Sequence, residues 1–276
     1  MTPAPPLPNG IRDDDVRLAD GTRVRVARAG SGTPVVLVHG NFASRRWWQL
    51  QLQDPPPGLE LIAPDLPNFG ASDPLPGSLT LDGYAHALWA TIDALGLDGA
   101  DADGVVLVGH SLGAGVVERA ILSAPERVRA AMLIDGAPPE GLPRPEEHYA
   151  LLGTFVGNRD GLAAALGPMT GAQLPPFWDA LLDDAVAMAA PAYEGNARAL
   201  GGARLPTPPE DATPPVLVLH GGQDPLITAD MAVATAEHWP GAQLEVWPDV
   251  GHSPQLEAPD RFASLLATFA KEAVMS

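Results

Sequence analysis

Short apolar runs alternate with amphipathic segments along most of the chain. Gln243–Val246 is expected to be the last strand. Five earlier runs are almost entirely apolar, as is typical of strands buried on both faces of a sheet. These runs are Val35–Val38, Leu59–Ala63, Val105–Val108, Ala131–Ile134 and Val216–Leu219. Strands that alternate with helical segments indicate a mostly parallel sheet that helices cover on both faces.

One segment near the start of the chain has a different pattern. Arg23–Val26 alternates polar and apolar residues and follows the turn signal Asp20-Gly21, which predicts an antiparallel hairpin at a half-exposed sheet edge. The complete pattern predicts an α/β fold with an eight-stranded, mostly parallel sheet. The helices expected between the strands run from a cap at Ser44 to Leu52, from a cap at Thr80 over Leu81–Leu95, over Leu112–Ser123, over Asp230–Trp239, and from Pro259 toward Ala273.

The interval from Ala137 to Thr213 contains no β-rich run, and it is rich in proline. Its helical pieces are Glu146–Val156, Gly161–Leu166 and Trp178–Ala190. A disordered linker is the alternative, but the aromatic residues of the interval favour burial. We therefore predict a helical lid, residues 137–212, inserted after the sixth strand. The lid separates two core segments, residues 1–136 and 213–276.

Composition excludes several classes of function. The chain has 16 Lys and Arg against 34 Asp and Glu, a formal net charge of −18, which argues against a nucleic-acid partner and favours neutral or cationic small-molecule substrates. Cysteine is absent, which excludes thiolate nucleophiles. No apolar run reaches the roughly 18 residues of a membrane span. The first residues resemble no signal peptide, so we expect a cytoplasmic protein without a membrane partner.

The strongest chemical motif is Gly109-His-Ser-Leu-Gly113, between a predicted strand and a predicted helix. A G-x-S-x-G motif at such a junction indicates a nucleophile elbow, which exposes the Ser111 hydroxyl above the sheet. A phosphate-binding loop is the alternative reading. It is disfavoured because the motif lacks both a G-K-[ST] ending and the glycine spacing of a dinucleotide loop.

A serine hydroxyl needs a base, and the base needs a carboxylate to orient it. Asp224 follows the strand Val216–Leu219, and His252 follows the predicted last strand. The order Ser111, Asp224, His252 is the order that accompanies a nucleophile elbow. Asp135, at the end of the preceding strand, is the alternative carboxylate. His39 and His110 are expected to serve packing or backbone hydrogen bonds. The other four histidines lie in helical or strand-end contexts without matched partners: His86, His148, His220 and His238.

A tetrahedral oxyanion would need two hydrogen-bond donors. The backbone N–H of Leu112, directly after the nucleophile, is expected to be one of them. The second is expected from His39-Gly-Asn-Phe42, with the N–H of Asn41 preferred over that of Phe42. The Asn41 side chain is a possible further donor. Alternatively, Asn41 only caps the helix that begins near Ser44.

The lid must exclude water, so its aromatic residues are candidates for contact with a substrate. Trp47 and Trp48, in contrast, are expected to belong to the core. The substrate-binding candidates are Phe42, Phe155, Phe177, Trp178 and Tyr193.

With these motifs the chain resembles the α/β-hydrolase superfamily, specifically its lid-bearing, esterase-like members. The resemblance rests on His39-Gly40, the segment Ala63–Asp73, the elbow, Gly221–Pro225 and Gly251-His252. It departs from the frequent pattern at Asn68, where glycine is usual. The serine nucleophile sets the chain apart from haloalkane dehalogenases and epoxide hydrolases, which use aspartate.

The resemblance implies a serine hydrolase that cleaves a small, neutral ester-type substrate through an acyl-enzyme, without a metal or an organic cofactor. Thioesters, lactones and amides are left open as substrates of the same reaction. The alternatives are a carbon–carbon bond hydrolase or a perhydrolase with the same triad, or a non-catalytic small-molecule receptor. The oligomeric state is left open.

Overall fold

The computed structural model describes residues 5–97, 104–209 and 213–275. Residues 1–4, 210–212 and 276, which belong to the ends of the predicted core and lid segments, lie outside the described residues. Eight strands in these ranges form one sheet. They are β1 (Arg12–Arg17), β2 (Arg23–Gly30), β3 (Thr33–Val38), β4 (Leu59–Pro64), β5 (Val105–His110), β6 (Val128–Ile134), β7 (Val216–Gly221) and β8 (Gln243–Trp247).

The described ranges contain ten α-helices. They are α1 (Gln49–Gln53), α2 (Leu81–Ala94), α3 (Leu112–Ser123), α4 (Glu146–Gly153), α5 (Arg159–Leu166), α6 (Trp178–Val186), α7 (Ala190–Gly202), α8 (Ala229–His238), α9 (Pro254–Glu257) and α10 (Pro259–Met275). Short 3₁₀ turns lie at Arg45–Trp48, Pro125–Arg127 and Gly167–Met169. Of the helices, α2, α3, α8 and α10 lie close to the predicted bounds, whereas the segment predicted from Ser44 to Leu52 is a 3₁₀ turn followed by the short α1.

The strands lie in the order β1-β2-β4-β3-β5-β6-β7-β8. From β4 to β8 all neighbours are parallel, whereas β2 pairs antiparallel with both β1 and β4. The predicted mostly parallel sheet, with an antiparallel hairpin at its edge, is therefore confirmed. Because the parallel strands point the same way, the loops after β3, β5, β6, β7 and β8 meet at one edge of the sheet.

Both faces of the sheet are buried, which explains the uninterrupted apolar runs. On β5, Val105 and Leu107 belong to the apolar cluster that contains residues of α2 and α3. The alternate residues Val106 and Val108 belong to the cluster on the other face, which contains Phe262 of α10. Successive side chains of a strand point to opposite faces, so a strand covered on both sides is apolar along most of its length.

The interval after β6 folds into α4, α5, α6 and α7, so the predicted helical insert is confirmed. The helical piece predicted over Trp178–Ala190 is shorter, because α6 ends at Val186. A separate helix, α7, then begins at Ala190 with Pro191 in its first turn, a position that proline favours. The insert is anchored to the core by buried Asp184, which accepts hydrogen bonds from Ser44 Oγ at 2.6 Å and from Arg46 Nε at 3.1 Å.

None of the helices within the described ranges is long and apolar enough to cross a lipid bilayer.

Candidate active site

Ser111 lies in the sharp turn between β5 and α3. Its backbone adopts φ 54° and ψ −116°, a conformation that costs a residue with a side chain about 1–3 kcal/mol. The turn is held by hydrogen bonds: Ser111 N donates to Ile134 O at 2.8 Å, and Ala114 N donates to Ser111 O at 3.0 Å. The predicted elbow geometry is therefore present, and a neighbouring strand supports the strained residue.

His252 and Asp224 meet in the loops after β8 and β7. The His252 Nδ1 lies 2.7 Å from the Asp224 Oδ2, and both side chains are almost completely buried. The two loops approach so closely that a Cβ atom at Gly221 would lie 1.8 Å from the carbonyl oxygen of Gly251. Glycine at position 221 is thus required for the loops to bring the imidazole and the carboxylate together.

The Asp224 carboxylate is held in an environment that favours its ionised form. Burial alone would raise the pKa of Asp224. The hydrogen bond and the charge of His252, together with hydrogen bonds from the backbone of Leu226 and Ile227, lower this pKa below its ordinary value. Leu226 N and Ile227 N both donate to Asp224 Oδ1, at 2.7 and 3.1 Å. An ionised carboxylate in this position can fix the Nδ1–H tautomer of His252.

Ser111 and His252 line the same cavity, of about 310 Å³, between the sheet edge and the helical insert. This is the size of a small-molecule site. Most of its lining is aliphatic or aromatic. The complete lining is Asn41, Phe42, Ala43, Trp47, His110, Ser111, Asp135, Ala137, Leu142, Arg144, His148, Leu151, Leu152, Phe155, Ala165, Leu166, Met169, Ala197, Leu200, Leu226, Ile227 and His252.

Asp135, the alternative carboxylate, contacts a different histidine. Its Oδ1 lies 2.8 Å from His220 Nδ1 and accepts a hydrogen bond from Gly221 N at 3.1 Å. Burial, followed by the negative charge of Asp224, raises the pKa of Asp135 well above its ordinary value. Of the two carboxylates, Asp224 is therefore the one paired with His252.

Asp135, His220 and Asp224 place one potential ligand atom each within 4.8 Å of one another, a spacing compatible with a metal ion. These atoms already have partners, because Asp135 pairs with His220 and Asp224 pairs with His252. We interpret the cluster as a hydrogen-bonded network rather than a metal site.

His110 and His39 are packed in the core beside the site, as the sequence predicts. The His110 Nε2 lies 2.8 Å from the carbonyl oxygen of His252, and its ring stacks on Trp47 at 6.0 Å. Burial lowers the pKa of His110 to about 3 and that of His39 to about 4. His39 Nε2 accepts from Leu66 N, so its Nδ1 donates to Gly40 O at 2.8 Å. Both rings are neutral supports for the neighbouring loops.

The loop after β3 lies directly against the elbow. A Cβ atom at Gly40 would lie 3.0 Å from the Ser111 Cβ, so the backbone of the following residues is beside the nucleophile. Asn41 and Phe42 both line the cavity. The alternative role of Asn41 as a helix cap is not observed, because Ser44 Oγ accepts from Arg46 N at 3.1 Å.

Leu112 begins α3, and the first N–H groups of a helix have no acceptor within the helix. Its N–H is therefore available near the Ser111 hydroxyl. The N-terminal end of α3 also contributes a partial positive charge at this point.

Of the five aromatic candidates for substrate contact, Phe42 and Phe155 line the cavity, and Phe177, Trp178 and Tyr193 do not. Tyr193 is completely buried, where its hydroxyl donates to Ala185 O at 2.9 Å and its ring contacts Phe42. Phe177 and Trp178 are half-buried and pack against the apolar core at the start of α6. These three residues hold the insert on the core instead of facing the cavity.

Several lining residues were not identified from the sequence. Trp47, expected in the core, also lines the cavity, and α4 contributes His148, Leu151 and Leu152. Together with Phe155, these α4 residues recur at the helical spacing that marks one face of a helix, so this pattern could have revealed them. Trp48 packs in the core as expected, 6.0 Å from the ring of Phe262.

Comparisons with known proteins agree with this fold. The model of the family described as "Alpha/beta hydrolase family" matches residues 35–265. The 2-hydroxymuconate semialdehyde hydrolase of Pseudomonas sp. (strain CF600) is 29% identical over 274 residues, which cover 93% of each protein. The pimeloyl-[acyl-carrier protein] methyl ester esterase of Pectobacterium atrosepticum is 26% identical, over 88% of this chain and 96% of that protein.

Among solved structures, an esterase from Exiguobacterium antarcticum superposes with a TM-score of 0.81 over 94% of this chain and 100% of that one. At 23% identity this likeness shows the fold alone.

Proposed function

This chain belongs to the alpha/beta hydrolase family, and from that premise we propose that it is a serine hydrolase acting on small, neutral carboxylic esters. Ser111 would be the nucleophile, His252 the general base and acid, and Asp224 the carboxylate that orients His252. The observation that carries the proposal is the contact of 2.7 Å between His252 Nδ1 and Asp224 Oδ2, with His252 and Ser111 lining one cavity.

The acylation step uses the two side chains that line the cavity. His252 Nε2 takes the proton of the Ser111 hydroxyl while the oxygen attacks the ester carbonyl carbon. Asp224 accepts the Nδ1–H of His252 and stabilises the imidazolium that forms. The imidazolium then gives its proton to the departing alcohol, which leaves the acyl group on Ser111.

The oxyanion of each tetrahedral intermediate would be bound by two backbone N–H groups. Leu112 N–H at the start of α3 is one, and the N–H of Asn41 is the other. Phe42, next in the loop, is the alternative source of the second donor. In the deacylation step, water gives a proton to His252 and attacks the carbonyl carbon of the acyl-enzyme. His252 then returns this proton to Ser111 Oγ as the bond to the acyl group breaks and the acid product leaves.

The cavity favours an uncharged acyl group of modest size. Its aliphatic and aromatic lining gives little compensation for the desolvation of a charged group. The net charge of −18 also opposes the approach of polyanions. Phe42 and Phe155, whose ring centroids lie 6.3 Å apart, are positioned with Trp47 to contact the acyl chain.

A second candidate function is cleavage of a carbon–carbon bond by the same residues. It is favoured by the likeness to the 2-hydroxymuconate semialdehyde hydrolase, which covers almost the full length of both proteins. In that reaction His252 would have to protonate a carbon leaving group instead of an alkoxide oxygen.

The proposal is tested by labelling with a fluorophosphonate probe and measuring the intact mass. We expect one adduct on the parent protein and none on Ser111→Ala, which should unfold at nearly the same temperature as the parent because the change removes one half-buried oxygen. Hydrolysis rates on p-nitrophenyl esters from acetate to octanoate would then define the acyl length that the cavity accepts.

The outcomes separate the candidates. An unlabelled parent protein without esterase activity would contradict the proposal and support a non-catalytic receptor. A labelled protein that cleaves 2-hydroxymuconate semialdehyde much faster than any ester would instead support the carbon–carbon hydrolase.

A further inference from the structure

A chain of buried polar side chains connects three separate parts of the molecule to the loop beside Ser111. Asn68 Nδ2 lies 2.9 Å from Tyr84 Oη, and Tyr84 Oη lies 2.8 Å from Asn196 Oδ1. Asn196 Nδ2 in turn lies 2.9 Å from Asn41 Oδ1. We call these four residues the amide relay. Asn68 follows β4, Tyr84 is on α2, Asn196 is on α7 of the helical insert, and Asn41 follows β3.

The relay is shielded from solvent over most of its length. Tyr84 and Asn196 are 0% exposed and Asn68 is 7% exposed, whereas Asn41 is half-buried at the cavity wall. Buried polar atoms must find partners within the protein, so each link of the relay constrains the next one.

One backbone group sets the direction of every hydrogen bond in the relay. Leu75 N, which can only donate, lies 3.0 Å from Asn68 Oδ1. The other end of the Asn68 amide is therefore its NH₂ group, which donates to the Tyr84 oxygen. The single hydroxyl proton of Tyr84 must then go to Asn196 Oδ1, and the Asn196 NH₂ group must donate to Asn41 Oδ1.

The last member of the relay is left with a donor. Because Asn41 Oδ1 accepts from Asn196, the remaining polar group of Asn41 is Nδ2, and no residue of the described ranges accepts a hydrogen bond from it. Asn41 lines the cavity together with Ser111, next to the close contact between Gly40 and the elbow.

On the basis of the proposed hydrolase function, we propose that the relay holds the Asn41 Nδ2–H toward the reacting carbonyl oxygen as a further donor for the oxyanion. Asn68, Tyr84 and Asn196 are positioning residues that act through Asn41. A donor held in place before the reaction stabilises the charge that develops in the transition state more than it stabilises the bound ester.

Two observations support the selection of these side chains. Asn68 has φ 77°, a left-handed conformation that asparagine tolerates but that costs free energy, and its two side-chain hydrogen bonds offset that cost. Burial raises the pKa of Tyr84 to about 12, so its hydroxyl keeps its proton throughout the physiological pH range.

The direction in which the hydrogen bonds of the relay are donated can be reversed by a nearly isosteric substitution. In Asn68→Asp the carboxylate accepts from both Leu75 N and the Tyr84 hydroxyl, which turns the tyrosine proton away from Asn196. Asn196 then donates to Tyr84 and presents Oδ1 to Asn41. The Asn41 amide must rotate to donate to it, which places Oδ1 in the cavity.

We expect Asn68→Asp to lower kcat on a p-nitrophenyl ester by about 100-fold, the loss typical of one oxyanion donor, with KM changed less than about threefold. Asn41→Ala should lower kcat by a similar factor. Asn68→Asp added to Asn41→Ala should have almost no further effect, because the relay acts only through Asn41. Independent losses that multiply in the double variant would overturn the relay.

Two further variants keep the test decisive. Tyr84→Phe breaks the relay without adding charge and should lower kcat by about tenfold, but not in the Asn41→Ala background. It replaces Asn68→Asp if the buried carboxylate prevents folding. Asn158→Asp, an exposed helix cap in the insert, adds the same charge outside the relay and should leave kcat unchanged.

An NMR measurement that does not depend on catalysis separates this inference from the proposed function. The side-chain amide resonances of Asn41 in ¹⁵N-labelled protein should shift in Asn68→Asp and remain in place in Asn158→Asp. Unshifted resonances would overturn the relay whether or not the protein is an esterase. Shifted resonances in a protein that hydrolyses no ester would support the relay geometry and contradict the proposed function.

Discussion

Two His–Asp pairs lie side by side at the carboxyl edge of the sheet, and their contacts are almost identical. His252 Nδ1 lies 2.7 Å from Asp224 Oδ2, and His220 Nδ1 lies 2.8 Å from Asp135 Oδ1. All four side chains are 5% exposed or less. The distance between an imidazole and a carboxylate therefore does not tell which pair performs chemistry.

The pairs differ in their surroundings. The carboxylate of Asp224 receives hydrogen bonds from His252 and two backbone N–H groups, which lower its pKa, whereas burial and the Asp224 charge raise the pKa of Asp135. Burial also lowers the pKa of His220. Only His252 of the two histidines lines the cavity with Ser111. A histidine that lines the cavity with the nucleophile and pairs with a carboxylate of lowered pKa is suited to proton transfer, whereas the raised pKa of Asp135 disfavours its ionised form.

The sharpest test of this comparison exchanges each histidine for glutamine. We expect His252→Gln to lower kcat/KM on a p-nitrophenyl ester by about 10⁴-fold or more, because the base is removed. His220→Gln should lower it by less than about tenfold, because His220 contacts neither the nucleophile nor the cavity. Similar losses in the two variants would show that the pairs act as one unit.

Replacing each carboxylate by an amide should give the next largest difference in activity between the two pairs. Asp224→Asn should lower kcat by about 10⁴-fold, because an amide no longer fixes the Nδ1–H tautomer of His252. Asp135 hydrogen-bonds with His220 and Gly221 and not with His252, so Asp135→Asn should lower kcat by less than about tenfold. Steady-state kinetics at pH 7 would measure both effects. A larger loss in Asp135→Asn than in Asp224→Asn would reverse the assignment of the two carboxylates.

The smallest expected effect is on the free energy of unfolding. Its pH dependence should change in opposite directions when Asp135 and Asp224 are each replaced by asparagine. The raised pKa of Asp135 means that the folded protein holds this proton more tightly than the unfolded chain does. The free energy of unfolding therefore falls as the pH rises above 3.8, the ordinary pKa of aspartate. Asp135→Asn removes that fall, so the variant should gain stability relative to the parent as the pH rises above about 4.

Asp224 changes the free energy of unfolding with pH in the opposite direction. Its lowered pKa contributes stability above the ordinary value of 3.8, which is lost as the pH falls through the folded pKa. Asp224→Asn should therefore be least stable relative to the parent near neutral pH. Urea unfolding at several pH values would measure both trends. If the two variants had the same pH dependence, the two carboxylates would not differ in ionisation.

Much of the scaffold could be predicted because its signals are local. The apolar runs locate β3 to β7, and Thr80 caps α2 by accepting from Gly83 N at 3.0 Å. The elbow and the glycine-rich loops after β7 and β8 mark the strand ends. The helical insert was harder to predict, because α7 has few large apolar residues and its start is signalled mainly by Pro191. The division into core and lid segments at residues 136 and 212, and the cytoplasmic location, stay predictions.

The amino-acid sequence by itself determined the strand pattern, the tight turns and the order of Ser111, Asp224 and His252, because strand periodicity and turn chemistry depend on neighbouring residues. The tertiary structure alone decided which carboxylate meets which histidine, that Phe155 faces the cavity while Tyr193 is buried, and that Asn196 reaches Asn41. These contacts join side chains far apart in the chain. They depend on how the insert packs against the sheet edge, which no local pattern encodes.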